Sequence, residues 1–229
     1  MTQAVTATAP IPPPTQAPAS IGEHRFAIRD VTWGQYEAIL AALGDHPQRI
    51  AYCEGTIELR SPGPWHESYG YLLGRMVDIL TEELDIPMKA LGSTTLRRRD
   101  AGRGLEADRT YYLANAGHLT GADHLDLGAI PPPDLAIEVE ITSSILDKLS
   151  VYAGLGVPEL WRHDGQSLRV FLLGPDGAYA ESPTSRAFPF LPMPALDRQL
   201  REVDPTNDTR WARAFRTWVR EVVAPLYLP

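Results

Sequence analysis

The segment PDLAIEVEIT, residues 133–142, is the most informative part of this sequence. Its apolar residues are rich in strand formers and lie between a proline-rich turn and Ser/Thr residues, which predicts an inner β-strand. Glu138 and Glu140 interrupt the apolar run. Side chains two apart on a strand point to the same face, so the two carboxylates are expected side by side against a packed interior. Such a pair needs a proton or a cation nearby, because unpaired buried carboxylates are costly and repel each other.

Strand and helix patterns alternate along the rest of the chain. Thr32 and Gln35 have the spacing of a capping box at the start of a helix, and the longest helix, residues 65–85, has one apolar face. A later helix is predicted to begin at Ser143 or Ser144. Further strands are predicted at residues 24–31, 49–61, 87–98, 105–115, 158–164 and 167–182. This interleaving predicts an α/β or α+β fold around a mixed sheet.

The composition of the 229-residue chain, with 44% hydrophobic and 22% charged residues, suits one medium-sized domain. No apolar stretch approaches the roughly 18 residues expected of a membrane span. The single cysteine, Cys53, excludes an internal disulfide and a cysteine-based zinc site, which favours a cytoplasmic protein. Residues 1–22, rich in Ala and Pro, lack the basic start and apolar core of a secretory signal and are predicted to be a disordered tail.

The C-terminal residues, 201–229, are predicted to form an amphipathic helix after a proline-rich linker. Its large apolar side chains recur at helical spacing: Trp211, Phe215, Trp218 and Val222. A stripe of this kind more often docks on the core or on a dimer partner than stacks on nucleic-acid bases.

Charge limits how the protein could bind nucleic acid. The formal net charge of −8 argues against a protein that coats nucleic acid electrostatically. A local basic segment, LRRRDAGRG at residues 96–104, nevertheless brings together four arginines: Arg97, Arg98, Arg99 and Arg103. Such runs are usually solvated hairpin tips, and a nucleic-acid-binding loop is the alternative.

Acidic residues on the predicted strands form a candidate metal site. Asp108 and Glu138 each lie on a predicted sheet strand, so their carboxylates would converge on one ion if the two strands are neighbours. Glu54, at the turn of the hairpin predicted over residues 49–61, is a further acidic candidate. Carboxylate oxygens without a cluster of His and Cys favour Mg²⁺ or Mn²⁺. Structural salt bridges or a solvent-facing sheet edge are the alternatives.

A basic residue follows the second acid. Lys148 lies ten residues after Glu138, in the helix that leaves the C-terminal end of the strand, and one helical turn would bring its ammonium over the acids. There it would stabilise negative charge on a phosphate or orient an attacking water. The alternative is a surface lysine paired with Asp147 or Glu140.

Residues 133–161, PDLAIEVEITSSILDKLSVYAGLGVPELW, resemble the core signature of the Uma2 (Uma-two) family, a branch of the PD-(D/E)XK nuclease superfamily. Three other segments agree with the family in order, at residues 52–76, 104–115 and 167–179. The resemblance covers about residues 25–195. It implies a restriction-endonuclease-like fold for residues 23–200, with a mixed central β-sheet flanked by helices, often assembled as a homodimer.

The resemblance also implies roles for individual residues. Asp108 and Glu138 match the two acids of the superfamily motif and would be metal ligands. Glu54 matches an early glutamate of the family and would be an extra ligand or a water-orienting group. Lys148 matches the lysine of the family's later helix, and His66 matches the histidine that heads its long helix. A local capping or packing role for His66 is the alternative.

Two positions depart from the superfamily pattern. Ala107 replaces the proline before the first acid, which removes a backbone restraint but no ligand. Glu140 replaces the lysine expected two positions after the second acid, so the strand lacks the usual catalytic cation. Lys148 would then have to supply that cation from the helix.

These observations predict a Mg²⁺- or Mn²⁺-dependent endonuclease that hydrolyses phosphodiester bonds in DNA. The ion would bind Asp108 and Glu138, and Lys148 or Glu140 would position the attacking water. The alternative is a catalytically silent nuclease-fold protein that binds nucleic acid or a protein partner, which the acidic charge and the missing strand lysine favour. Hydrolysis of a glycoside by paired carboxylates is a third, weaker interpretation, because residues two apart on a strand approach one face together.

Overall fold

A mixed β-sheet forms the centre of the protein. In the computed structural model, which describes residues 24–44, 48–119, 126–204 and 206–227, the sheet has nine strands. They are β1 (His24–Ile28), β2 (Arg49–Cys53), β3 (Thr56–Ser61), β4 (Lys89–Arg98), β5 (Arg103–Tyr112), β6 (Leu135–Val139), β7 (Glu159–His163), β8 (Leu168–Leu173) and β9 (Tyr179–Ser182). The paired strands are antiparallel except β6 and β7, which run parallel. The predicted class with a mixed central sheet is confirmed, and the predicted tail, residues 1–22, lies outside the described residues.

Helices cover both faces of this sheet. They are α1 (Trp33–Leu43), α2 (Pro64–Leu84), α3 (Lys148–Leu155), α4 (Met193–Arg201), α5 (Asp208–Trp218) and α6 (Ala224–Tyr227), with a 3₁₀ turn at Ala116–Leu119 and a π-helical turn at Val219–Val223. α1 begins with the predicted capping box of Thr32 and Gln35. The sequence pattern does not predict α4. Its start contains prolines, which are tolerated there because a missing backbone N–H costs little in the first turn of a helix. None of the helices in the described part of the chain is long and apolar enough to cross a membrane.

Apolar clusters on opposite faces of the sheet hold these layers together. β6 contributes to both, with Ile137 in the cluster under α2 and Ala136 in the cluster under α3. Trp211 and Phe215 of α5 are buried in the same cluster as α2, so the C-terminal helix packs on the core. A third, smaller cluster joins α1 to β2 and β3 around Tyr36.

The helix after β6 begins later than its sequence pattern predicts. α3 starts at Lys148 and is capped by Asp147, whereas the pattern predicts a start at Ser143 or Ser144. Ser144 has a different partner, because its hydroxyl donates to the carboxylate of Glu58 at 2.8 Å. The segment between β6 and α3 therefore forms a loop.

The sheet divides at β5. One edge of β5 pairs with β4, and the other edge pairs first with β2 and then with β6. β2 pairs with β5 up to Leu105, and β6 pairs with it from Arg109 onward, so residues 106–108 lie between the two partner strands. This gap, bounded by β2, β5 and β6, is named the fork. Two of the candidate acids of the sequence, Asp108 and Glu138, lie at the fork.

Strand β5 carries a bulge at Asp108. The strand advances three residues from Ala107 to Thr110, while their partners on β4 advance only two. In a regular strand, Ala107 and Tyr111 would share a face because they are four residues apart. Here Ala107 packs in the cluster under α3 and Tyr111 in the cluster under α2. The bulge therefore changes the direction of the side chains at the fork, as bulges near functional sites commonly do.

Candidate active site

Two buried acids share one guanidinium in the fork. Asp108 of β5 and Glu138 of β6 are 4% and 0% exposed, and Arg60 of β3 is 1% exposed. The Nη2 atom of Arg60 lies 3.3 Å from Asp108 Oδ1 and 3.3 Å from Glu138 Oε1. Its Nη1 atom donates to the backbone carbonyl of Val139 at 3.1 Å. A protein side chain is thus a cation that makes these buried carboxylates tolerable.

Asp108 is kept ionised by its neighbours. Nε2 of His66, in the first turn of α2, lies 3.0 Å from Asp108 Oδ2, and the backbone N–H of Val139 donates to the same oxygen at 2.8 Å. Burial alone would raise the pKa of Asp108, but the contacts with His66 and Arg60 outweigh it and lower the pKa to about 2. The backbone hydrogen bond also joins the Asp108 side chain to β6 across the fork.

His66 is positively charged at neutral pH. Burial disfavours the imidazolium, but the contacts with Asp108 and Glu67 raise the pKa of His66 to about 9. The N-cap of α2 is Gly63, so His66 does not cap its own helix. The structure instead places the imidazole against the first acid of the fork.

Two residues of α3 contact Glu138. The Nζ atom of Lys148, a residue that is 5% exposed, lies 3.6 Å from Glu138 Oε1, and the hydroxyl of Tyr152 donates to Oε2 at 2.7 Å. Lys148 and Tyr152 are four residues apart and therefore share one face of the helix. Burial and the charge of Glu138 raise the pKa of Tyr152 well above its usual value, so the phenol remains a donor. The ammonium of Lys148 is directed at Glu138 and not at solvent.

Glu58 of β3 holds the loop that precedes α3. Its carboxylate accepts hydrogen bonds from the hydroxyl of Ser144 and from the backbone N–H groups of Ile145 and Leu146. It also lies 3.0 Å from Nη1 of Arg25. Burial opposes the charge of this carboxylate, yet the hydrogen bonds lower the pKa of Glu58. Because α3 starts directly after this loop, Glu58 helps to place the first residue of the helix at the fork.

Glu140 lies just beyond the end of β6 and has partners of its own. One of its oxygens accepts from the backbone N–H of Ser144 at 2.9 Å, and the other lies 3.1 Å from Nη2 of Arg162. The sequence pattern predicts that Glu138 and Glu140 lie side by side. Their repulsion is relieved because each carboxylate has separate cationic partners.

Three arginines lie side by side across the strands next to the fork. Arg25 of β1 and Arg49 of β2 are both in register with Arg60 of β3. Like charges directly opposite each other on a sheet repel, so this row needs anionic neighbours. Glu58 lies beside Arg25, and Asp108 Oδ1 lies 3.9 Å from Nε of Arg49. The row concentrates positive charge at the fork in a chain whose net charge is −8.

Comparison with known proteins assigns the chain to a family. A family model described as "Uma2: Putative restriction endonuclease" matches residues 33–203. The chain belongs to the Uma2 family. A solved structure, described as a "putative nuclease belonging to DUF820" from Anabaena variabilis, aligns with 76% of this chain and 96% of its own, at 15% sequence identity and a TM-score of 0.44. A comparison with curated proteins finds no match.

The structure of this Uma2 protein does not bring Glu54 to the fork. Glu54 lies in the turn between β2 and β3, its side chain is 71% exposed, and its Oε1 lies 2.9 Å from Nη2 of Arg103. β5 begins at Arg103, five residues before Asp108. That separation is roughly 16 Å along an extended strand. Glu54 is therefore too distant to share an ion with Asp108.

The basic segment forms the tip of the hairpin between β4 and β5. Its outer side chains have acidic neighbours: Arg98 lies 3.2 Å from Asp100, and Arg99 lies 3.6 Å from Glu37. Arg97, within β4, is partly buried. The tip lies at the start of β5, so nucleic acid bound to it would lie outside the fork. The nucleic-acid-binding role of this segment in the Uma2 protein stays a prediction.

The oxygen atoms around Arg60 have the chemistry of a divalent-ion site. Asp108 Oδ1, Glu138 Oε1 and the carbonyl oxygen of Val139 all contact the guanidinium, and these three oxygens are named the cradle. Mg²⁺ and Mn²⁺ prefer hard oxygen donors of this kind. Among the described residues, no group of three or more His, Cys, Asp or Glu side chains is arranged to hold a metal. The cradle differs from such a group because its third donor is a backbone oxygen.

Arg60 and Glu58 of this Uma2 chain are not predicted as site residues from the sequence. The strand TIELRS, residues 56–61, alternates apolar and charged residues, so the two charged side chains share one face. This alternation is the sequence feature from which the two residues could have been selected. The acids that Arg60 contacts are 48 and 78 positions away along the chain, so no local pattern identifies them as its partners.

Proposed function

We propose that this Uma2 protein is a divalent-metal-dependent endonuclease that hydrolyses phosphodiester bonds in DNA. The observation that carries the proposal is the convergence of Asp108 and Glu138, from neighbouring strands, on one cation position in the fork. Membership of a family whose description reads "Putative restriction endonuclease" supports nuclease chemistry. The two acids also occupy the positions that the PD-(D/E)XK resemblance implies for metal ligands.

Residues around the fork would act on different parts of a phosphodiester. A divalent ion held by Asp108, Glu138 and the carbonyl of Val139 would polarise the scissile phosphate and lower the pKa of a bound water. Lys148, whose Nζ lies 3.6 Å from Glu138 Oε1, would offset the negative charge that develops on the phosphate. It would do so from a helix because Glu140 occupies the strand position of the usual lysine.

His66 and Tyr152 would act as positioning residues for the two acids. The imidazolium of His66 keeps Asp108 ionised and fixes one of its oxygens. The hydroxyl of Tyr152 fixes the second oxygen of Glu138. Preorganised acids of this kind hold their geometry without reorganising during the reaction.

Positive charge beside the fork supports a polyanionic substrate. Arg25, Arg49 and Arg60 form a row across three strands, and the summed field of such a row attracts the phosphates of a nucleic acid. That the substrate is DNA and not RNA is a prediction from the sequence. The homodimer and the cytoplasmic location likewise stay predictions.

Cleavage assays on plasmid, linear and single-stranded DNA with Mg²⁺ or Mn²⁺ test this proposal. Glu138→Gln removes one ligand charge with little change of shape, and we expect at least about a 100-fold loss, because even outer contacts of metal sites are worth roughly 10- to 100-fold. Glu181→Gln, at an exposed position on the edge strand β9, is the matched control and should cleave like the wild type. Wild-type protein that cleaves no faster than Glu138→Gln would contradict the proposal.

One observation favours a second candidate, a nuclease fold that binds a partner without catalysis. The guanidinium of Arg60 contacts all three cradle oxygens, so the fork is neutralised without an ion. Titration calorimetry with Mn²⁺ separates the two candidates. An endonuclease should bind the ion in a way that Glu138→Gln abolishes, whereas a silent fold should show no such binding.

A further inference from the structure

Arg60 occupies the position that a divalent ion would take. Its two terminal nitrogens lie between 3.1 and 3.3 Å from the cradle oxygens, which belong to Asp108, Glu138 and Val139. Only 1% of the residue is exposed. An ion and this guanidinium therefore cannot use the same three oxygens at the same time.

The two acids of the fork are already neutralised without an ion. Two carboxylates, Asp108 and Glu138, already face three cations, Arg60, Lys148 and the His66 imidazolium. A divalent ion added to this set would leave an excess of buried positive charge, which is costly where the dielectric constant is low. Exchange of Arg60 for the ion would remove part of that excess and release all three oxygens. Charge and geometry thus favour exchange over addition.

We propose that Arg60 is a built-in competitor of the divalent ion, so that the ion binds only when the guanidinium leaves the cradle. The inference rests on the proposed function, because it concerns the same acids. The metal-free protein is then a folded and inactive form that Arg60 stabilises. The apparent affinity for metal is lowered by the small fraction of molecules in which the cradle is open.

Titration calorimetry of the full chain with Mn²⁺ tests the competition directly. Arg60→Met removes the charge and hydrogen bonds but keeps an unbranched apolar side chain. We expect it to bind Mn²⁺ at least about 10-fold more tightly than the wild type, because the cradle no longer has to open. Arg49→Met is the matched control, since Nε of Arg49 lies 3.9 Å from Asp108 Oδ1 outside the cradle contacts. An equal gain in both variants would indicate a general charge effect and overturn the inference.

A second measurement and a second variant cover poor folding of Arg60→Met. Without the guanidinium, the two buried acids are less well neutralised, so the unfolding midpoint in EDTA should fall and Mn²⁺ should raise it more than in the wild type. Arg60→Lys keeps a cation, but its ammonium has one nitrogen in place of the two guanidinium nitrogens that contact the cradle. Its affinity for Mn²⁺ should lie between those of the wild type and Arg60→Met. Wild-type affinity in Arg60→Lys, with no larger Mn²⁺ shift in Arg60→Met, would refute the inference.

Glu138→Gln, made alone and together with Arg60→Met, distinguishes failure of this inference from failure of the proposed function. Suppose that Arg60→Met binds Mn²⁺ no more tightly than the wild type, and that Glu138→Gln abolishes binding in both backgrounds. The competition is then refuted, while the proposed metal site stands. If neither background shows binding that depends on Glu138, the proposed function itself fails.

Discussion

At the scale of single residues, two histidines show that surroundings decide charge. Burial works against the charged form of both His66 and His163. Asp108 lies 3.0 Å from His66 and outweighs this effect, so the pKa of His66 rises to about 9. His163 packs against the ring of Tyr69, and burial lowers its pKa to about 4. The same residue type is therefore charged in the fork and neutral at the end of β7.

The pKa of His163 predicts that stability falls as the pH is lowered from 6.5 to about 4. In that window the unfolded chain binds a proton that the folded protein excludes, so acid favours unfolding, by at most roughly 3 kcal/mol for this group. The Nδ1 atom of His163 accepts a hydrogen bond from the backbone N–H of Gly165, and protonation of that atom would remove it. Urea unfolding at a series of pH values measures the effect.

The variant His163→Asn provides the comparison for this pH dependence. Asparagine can still accept from the N–H of Gly165 but does not titrate. We expect the free energy of unfolding to change less between pH 6.5 and 4 in the variant than in the wild type. The substitution removes only the contribution of the histidine, because the acidic groups act equally in both proteins. Parallel curves would show that His163 is not responsible.

At the scale of elements, the start of α3 depends on a strand that is distant in sequence. Glu58 of β3 accepts hydrogen bonds from Ser144, Ile145 and Leu146, and α3 begins shortly afterwards at Lys148. These bonds hold the preceding residues out of the helix. The position of the Lys148 ammonium therefore depends on β3 as well as on α3.

Glu58→Gln should loosen this loop and displace Lys148. One amide cannot accept all the hydrogen bonds of the carboxylate, so we expect a loss of about 1–3 kcal/mol in the free energy of unfolding. Hydrogen exchange in residues 143–149 should become faster. DNA cleavage per folded molecule should fall, because the ammonium is no longer held at Glu138.

Glu159→Gln is the matched control for this substitution. Glu159 is also buried and also accepts hydrogen bonds from a following loop, at Ser185, Arg186 and Ala187. Glu159 contacts none of the fork residues named above. Glu159→Gln should therefore reduce the free energy of unfolding by a similar amount without lowering DNA cleavage per folded molecule. Equal losses of cleavage in both variants would contradict a positioning role for Glu58.

At the scale of the whole molecule, the fork exists because two groups of strands share one edge of β5. Strands β1, β3 and β2 lie on one side of the gap, and β6 to β9 lie on the other. The clusters under α2 and α3 bury the two faces of β6. The C-terminal helix α5 completes the cluster under α2, so its contacts belong to the framework that holds the fork.

Phe215→Ala should destabilise the whole protein. Phe215 is fully buried in the cluster shared by α5 and α2, and removal of a buried phenyl ring typically costs about 3–5 kcal/mol. Val222→Ala, at a position that is 44% exposed, should change stability by less than about 0.5 kcal/mol. Thermal unfolding measures both. Similar midpoints for the two variants would show that α5 does not pack on the core in solution.

The sequence alone determined the types of most elements and the identity of the main acids. The apolar alternation around Glu138, the apolar face of α2 and the capping box at Thr32 each depend on residues only a few positions apart. Asp108, Glu138 and Lys148 could be selected because each lies in such a local pattern. α4 escaped prediction because its proline-rich start resembles a linker.

Only the tertiary structure decided which charges meet. Arg60 meets acids 48 and 78 positions away, whereas Glu54, which the family resemblance also implied as a ligand, lies in an exposed turn beside Arg103. Strand alternation and helix capping are interactions between near neighbours, so the sequence displays them directly. Ion pairs in the fork depend on strand order and register, and these are set by burial of apolar clusters whose members are scattered along the whole chain.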